Sequence, residues 1–254
     1  MSAPKSWVLL RGLGRESGHW GPFAESFKAA FPDRRIELLD LPGLGESLKE
    51  PVPFTMNGIV NALDGKLKAD GPVGVFGLSF GGMVGLTWAA RHPDRVSHLV
   101  LINSSAKDST PWYDRLQGGA IKTFSEIFAL KSEREREEKI LKLVSRTADH
   151  QKEVLQLWVK IAKTRSPSRA TFLRQLWAAS RFKLPEFKPT TPKILCLAGM
   201  GDLMVDPECS KILSDALKAD VRFHPWGGHE LTLDDPTWVL KNVRDWVETP
   251  GRKS

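Results

Sequence analysis

The sequence predicts an α/β fold, a mostly parallel sheet covered by helices on both faces, with an all-helical insertion. Three observations predict it. Short apolar runs alternate with helix-length amphipathic stretches through the first hundred residues. Strand-like runs then vanish between Lys107 and Pro192, and two more return after Lys193. Strands separated by helix-length segments need crossover connections, which place them parallel and bury both sheet faces. The expected division is therefore a core from 1–106 and 193–254, and a helical cap insertion at 107–192.

Each element follows from local pattern. "WVLL" (Trp7–Leu10) reads as a short buried strand that ends at Arg11-Gly12, and "HWGPFAESFKAAF" has helical spacing after it. "RIELLD" is a second strand, followed by the turn-forming loop "LPGLGES". A helix around Met56–Leu67 leads to the strand "VGVFGL" (Val73–Leu78), then to the helix "MVGLTWAARHP" and the strand "VSHLVLINS". In the insertion, Ser132 and Glu135 have capping-box spacing. Val154, Leu157, Trp158 and Ile161 share one helical face, and Leu173, Leu176 and Trp177 repeat that spacing. "KLPEFKPTTPK" returns the chain to two further strands, "KILCLAG" and "VRFHPWGGH", and "WVLKNVRDWV" closes it as a helix.

Composition narrows the class. Apolar content of 41% and charged content of 26% fit a water-soluble globular chain, and two cysteines cannot build a disulfide framework. No apolar run reaches the length of a membrane helix and no secretory signal opens the chain, so a cytoplasmic protein is expected. The net charge of +7 is concentrated: Lys107–Lys193 holds 19 basic against 10 acidic residues. That surplus lacks any helix-turn-helix, zinc or RNA-stacking motif, which argues against nucleic acid. The cysteines are far apart and the histidines unclustered, so no metal site and no cofactor are expected.

Gly77-Leu-Ser-Phe-Gly81 matches G-x-S-x-G between a predicted strand and a predicted helix. An abrupt strand-to-helix turn strains its central residue, and flanking glycines make room for Ser79. A Gly-rich turn with Ser79 as a mere cap fits the same spacing, so the partners decide. Asp202 in "LAGMGD" and His229 in "WGGHELTLDDP" both follow predicted strands, whose ends converge on one edge of a parallel sheet. Nucleophile, acid and base in the order Ser79, Asp202, His229 fit this architecture. His92 and His98 read as helix-end and strand residues.

These stretches, together with "VLLRGLG…HW", "LLDLPGLGES" and "GLSFGGMVGLTWAARHPDRVSHLVLINSS", resemble the α/β-hydrolase fold family. The likeness is to its compact helical-capped esterases, the group of pimeloyl-acyl-carrier-protein methyl ester esterase. The resemblance implies a serine carboxylesterase with Ser79, Asp202 and His229 as catalytic residues and the amides of Leu13 and Phe80 as oxyanion hole. A small ester is then the substrate, and the basic cap (Arg165, Arg169, Arg174, Arg181, Lys160, Lys163) offers a face to an acidic acyl carrier protein. Arg11 stands where the family has His. It reads either as paired to an acid such as Asp40 or Glu16, or as a substrate carboxylate receptor; Trp20 and Trp158 are further substrate-binding candidates. Most of the insertion's aromatics, Trp112, Phe124, Phe128, Trp158, Phe172 and Trp177, are expected in its packing. A non-hydrolytic lyase acting on an anionic substrate is the alternative activity, and a binding-only protein of the same fold a more distant one.

Overall fold

The structure, a computed structural model, describes residues 3–107, 115–147, 151–187 and 192–249. Trp112 and His150 lie outside the described residues. Six strands, β1 (Ser6–Leu10), β2 (Arg35–Leu38), β3 (Val73–Leu78), β4 (Val96–Ile102), β5 (Lys193–Gly199) and β6 (Asp220–His224), form one parallel sheet in the order β2-β1-β3-β4-β5-β6. The last strand stops at His224, because "PWGGH" turns away into a loop.

Alternation along the strands builds two cores. Val8, Leu10, Val75, Leu99, Leu101 and Cys196 point to one face, under α2 (Met56–Asp64) and α3 (Phe80–Arg91), where Leu213 of α8 (Pro207–Leu217) joins them. Trp7, Leu9, Phe76, Leu78, Val100 and Leu197 point to the other, against Phe23 and Phe27 of α1 (Pro22–Ala30) and Val239, Val243 and Trp246 of α9 (Pro236–Glu248). His98 is buried edge-on against Trp246, and burial, helped by Lys193, lowers its pKa to about 4. That is the structural role its place in a strand predicts.

Between β4 and β5 the described residues form α4 (Gly118–Ala129), α5 (Glu133–Val144), α6 (Gln151–Arg165) and α7 (Arg169–Arg181). The Ser132 hydroxyl accepts from the Glu135 amide, as the capping spacing predicts. Leu141, Leu143, Val144, Leu155 and Trp158 form a small apolar cluster of their own. One expectation fails here. α7 buries Thr171, Gln175 and Ala178, so Leu173 and Trp177 face outward at 56% and 50% exposure. The helix packs through its small and polar face instead.

The chain runs from β1 outward to β2, then returns to place β3 on the other side of β1. That reversal opens a crevice at the carboxyl ends of β1 and β3, the general place for a ligand in an open parallel sheet.

Candidate active site

Gly12 and Leu13 follow β1 into this crevice, and Ser79 follows β3. Ser79 has φ 53° and ψ −114°, a left-handed conformation that a non-glycine residue adopts at a cost. It persists because both neighbours in the turn are surrounded by main chain. A Cβ on Gly77 would lie 2.6 Å from the Gly81 carbonyl, and one on Gly81 would lie 2.3 Å from the Leu10 carbonyl oxygen. The Ser79 amide donates to the Ile102 carbonyl at 2.7 Å, which fixes the turn to the end of β4.

Asp202 follows β5 and His229 follows β6, and the structure brings these two together. His229 Nδ1 donates to Asp202 Oδ2 at 2.7 Å. The other carboxylate oxygen accepts from the amides of Met204 (2.7 Å) and Val205 (3.0 Å), which hold Asp202 in place. Burial acts to lower the His229 pKa, but the charge of Asp202 and its hydrogen bond outweigh burial, so the pKa is raised above the ordinary 6.5. With its proton on Nδ1, the imidazole presents Nε2 as a base. Ser79 and His229 line the same cavity, and among the described residues no hydrogen bond joins the Ser79 hydroxyl to the imidazole. Such bonds often form only when substrate arrives.

Phe80 opens α3, and its amide, like that of Leu13, donates to no acceptor among the described residues. The first amides of a helix have no partner within it, so the Phe80 N–H is free for a ligand.

The cavity holds about 380 Å³. Its floor is Gly12, Leu13, Ser79 and His229, and its walls include Phe124, Ile127, Ile140, Leu143 and Phe172 from the helices between β4 and β5. Four guanidinium groups also reach it. Three already face carboxylates: Arg15 with Glu137 (2.7 Å), Arg136 with Glu133 (3.2 Å) and Arg165 with Glu16 (2.7 Å). Arg169 is the exposed fourth. Of the other basic residues in the expected patch, Arg174 lies over Phe54 and Arg181 over Trp177, while Lys160 and Lys163 are exposed on α6.

Arg11 is paired to an acid, as one of its two readings expects, but to a different acid from those named. Its partner is Glu230, held by two hydrogen bonds of 3.0 and 2.5 Å, and not Asp40 or Glu16. Asp40 instead receives the amides of Ser17 and Glu46, closing the "LPGLGES" loop, and Glu16 meets Arg165. The guanidinium of Arg11 lies 4.5 Å from the Trp20 ring centre and does not line the Ser79 cavity. Trp20 and Trp158 line a second cavity of about 290 Å³, which shares His19 and Glu230 with the first. His19 meets the Arg15 guanidinium through Nε2 (3.0 Å) and the Glu16 backbone through Nδ1 (3.1 Å), and burial ahead of the nearby arginines depresses its pKa.

Several residues at the site escaped the sequence reading. Asn103, left-handed at φ 48° just after β4, donates to the carbonyls of Gly228 and His229 and accepts from the Gly199 amide. An Asn directly after a strand is the signal that was available, since Asn tolerates that conformation. Gln175 on α7 accepts from the Gly14 amide, and Asp234 binds Gly228 and the 145–147 segment. No short-range pattern marks either.

The sequence profile of the α/β hydrolase fold family matches residues 8–236. The chain belongs to that family. It is similar to a pimeloyl-[acyl-carrier protein] methyl ester esterase of Chromobacterium violaceum, 35% identical over a stretch that covers 39% of this chain and 37% of the esterase. The match therefore spans well under half of that relative. A candidate carbamate hydrolase, RutD, of Caulobacter segnis is 26% identical over 95% of this chain and 90% of its own length. Among solved structures, the enol-lactonase of Burkholderia xenovorans superposes with a TM-score of 0.75 at 20% identity, covering 98% of this chain and 93% of that one. At that identity the likeness is one of fold. Among the described residues, no helix is long and apolar enough to cross a membrane.

Proposed function

We propose that this α/β hydrolase is a serine carboxylesterase working through an acyl-enzyme. The observation that carries the reading is a strained serine, φ 53°, facing the same cavity as an imidazole whose Nδ1 is tied to a carboxylate at 2.7 Å. His229 Nε2 takes the Ser79 proton as the hydroxyl oxygen attacks the carbonyl carbon. Asp202 holds the ring in the tautomer this needs and balances the imidazolium that results. The amides of Leu13 and Phe80 receive the oxyanion, already aligned before charge develops. His229 then protonates the leaving alcohol, afterwards takes a proton from the water that attacks the acyl-enzyme, and returns it to the Ser79 oxygen as the bond to the acyl group breaks and the carboxylic acid leaves.

The cavity supports an apolar acyl group. Its walls are mostly aliphatic and aromatic, and three of its four arginines are already matched by carboxylates. An anionic substrate would have to compete with those partners, and Arg11, the residue that favours a lyase, is engaged by Glu230. The acyl-carrier esterase among the relatives, together with exposed Lys160, Lys163 and Arg169, supports an acidic carrier docked outside the cavity.

The test is an ester panel varying acyl length and carrier, run with fluorophosphonate labelling on wild type and Ser79→Ala. Turnover and labelling at Ser79 are expected in the wild type and neither in the variant. Turnover retained by a folded Ser79→Ala protein would remove the mechanism. A kcat/KM for carrier-borne ester that is as insensitive to salt as that for a small ester would remove the carrier.

A further inference from the structure

We propose that the buried Arg11–Glu230 ion pair is a positioning device that locks the loop carrying the Leu13 amide to the loop carrying His229, with its two charges cancelling beside the imidazole. The proposal rests on the reading of His229 as general base and assigns its surroundings a role.

The placement is specific. Arg11 is the last residue before Gly12-Leu13, and its carbonyl oxygen would lie 2.7 Å from a Cβ on Gly81, so its backbone abuts the Ser79 turn. Glu230 directly follows His229. Two parallel hydrogen bonds join these chain-distant residues, both side chains are at most 6% exposed, and Trp20 lies against the guanidinium plane. The Glu230 backbone is fixed as well: its amide donates to Val144 and its carbonyl receives the amides of Leu233 and Asp234. A planar fork gripping a carboxylate fixes orientation as well as distance, which a lysine or an apolar pair would not do. Burying two charges is an expensive way to join two loops when an apolar contact would serve. The location beside the base supplies the reason.

Glu230 alone would make the imidazole more basic, and Arg11 alone would make it less so; both act on His229 in those directions. The other charged or titratable groups around the site are Asp202 from the β5 loop, Arg15, Glu16 and His19 after β1, Arg136 and Glu137 from α5, Arg146 after it, Arg165 from α6, Arg169 from α7, and Asp234 on the same segment as His229. All remain in place when the pair is altered.

The experiment is the pH profile of kcat/KM for a small ester, with His229 titrated directly by NMR in the full chain. Glu230→Gln leaves an uncompensated guanidinium, which stays charged, so the acid limb and the imidazole titration should both move down by about one pH unit. The double variant Arg11→Gln/Glu230→Gln removes both charges and should return the limb to its wild-type place. Arg11→Lys keeps the charge but not the fork; the limb should stay while kcat falls several-fold with KM nearly unchanged. An unmoved limb in Glu230→Gln, or a double variant displaced as far as the single, would overturn the charge balance. A full kcat in Arg11→Lys would overturn the positioning. Should Glu230→Gln fail to fold, Arg11→Gln takes its place: it leaves the carboxylate uncompensated and should move the limb up, and an unmoved limb there would overturn the charge balance. Fluorophosphonate labelling of Ser79 separates the two readings: no labelling of wild type removes the esterase mechanism itself, whereas labelling without the shift removes only the role of the pair.

Discussion

The sheet with its flanking helices and the helical segment between β4 and β5 hold together by different means. The first is joined by two continuous apolar cores, one on each sheet face. The second has a small apolar cluster of its own, lends Ala178 and Phe182 to one of those cores, and meets the site through polar ties as well. Gln175 takes the Gly14 amide, Glu137 takes Arg15, the Glu230 amide reaches Val144, and Gln117 reaches the Asp202 carbonyl. Apolar packing against a sheet fixes where strand ends lie, so it fixes the reacting groups. Ties of one or two hydrogen bonds set how a cavity wall sits over them. Substitutions in the first region are therefore expected to act on chemistry or folding, and those in the second on cavity shape and local stability.

The largest effect should come at the bond between the two loops of the sheet edge. Asp202→Asn keeps the shape and removes the charge that orients His229, so kcat should fall by about 10³–10⁴-fold with little change in melting temperature. The acid limb should also move. Because Asp202 is what raises the imidazole above 6.5, the variant loses that support and its limb should fall to lower pH. A tenfold loss or less would mean that the Nδ1 bond is not what makes His229 a base.

Two glycines sharpen the regional contrast. Gly81→Ala forces a Cβ to 2.3 Å from the Leu10 carbonyl, and backbone cannot move as a flexible side chain can, so a loss of about 3 kcal/mol or more is expected in chemical denaturation. Gly119→Ala on α4 enters open space within a helix and should gain about 0.5–1 kcal/mol. Equal responses would erase the distinction. Asp234→Ala falls between. It strips the acceptor from Ser145 (2.6 Å), the Arg146 amide (3.0 Å) and the Gly228 amide (2.6 Å), so about 2–3 kcal/mol should be lost as the 145–147 segment comes away from the His229 loop.

The same contrast explains what the sequence made legible. Short apolar runs located β1, β3, β4 and β5, since each is buried on both faces, whereas β2 and β6 at the sheet edges carry exposed positions and a weaker signal. The G-x-S-x-G turn placed Ser79, because a sharp turn leaves glycines around it. The direct bond between Asp202 and His229 follows from strand ends converging, which topology alone supplies. Polar partnerships were not legible. Arg11 pairs with a residue 219 positions away, and nothing local separates Glu230 from Asp40 or Glu16 as its acceptor. In α7 the apolar spacing pointed the wrong way, because that helix is fastened by Gln175 and small residues rather than by a broad apolar stripe.

The smallest effect, expected at Trp177, tests that last point against its buried counterpart. Spacing alone puts Trp158 and Trp177 in equivalent packing positions, yet Trp158 is 2% exposed beneath Arg15, while Trp177 is 50% exposed with Arg181 over its ring. Trp158→Ala should cost about 3–5 kcal/mol in thermal or chemical denaturation, since it empties the middle of the cluster formed with Leu141 and Val144. Trp177→Ser should change stability by no more than about 0.5 kcal/mol, as expected for a surface position. A loss of 2 kcal/mol or more there would mean that the outer face of α7 is covered after all, and that the polar ties are not what hold this helix to the site.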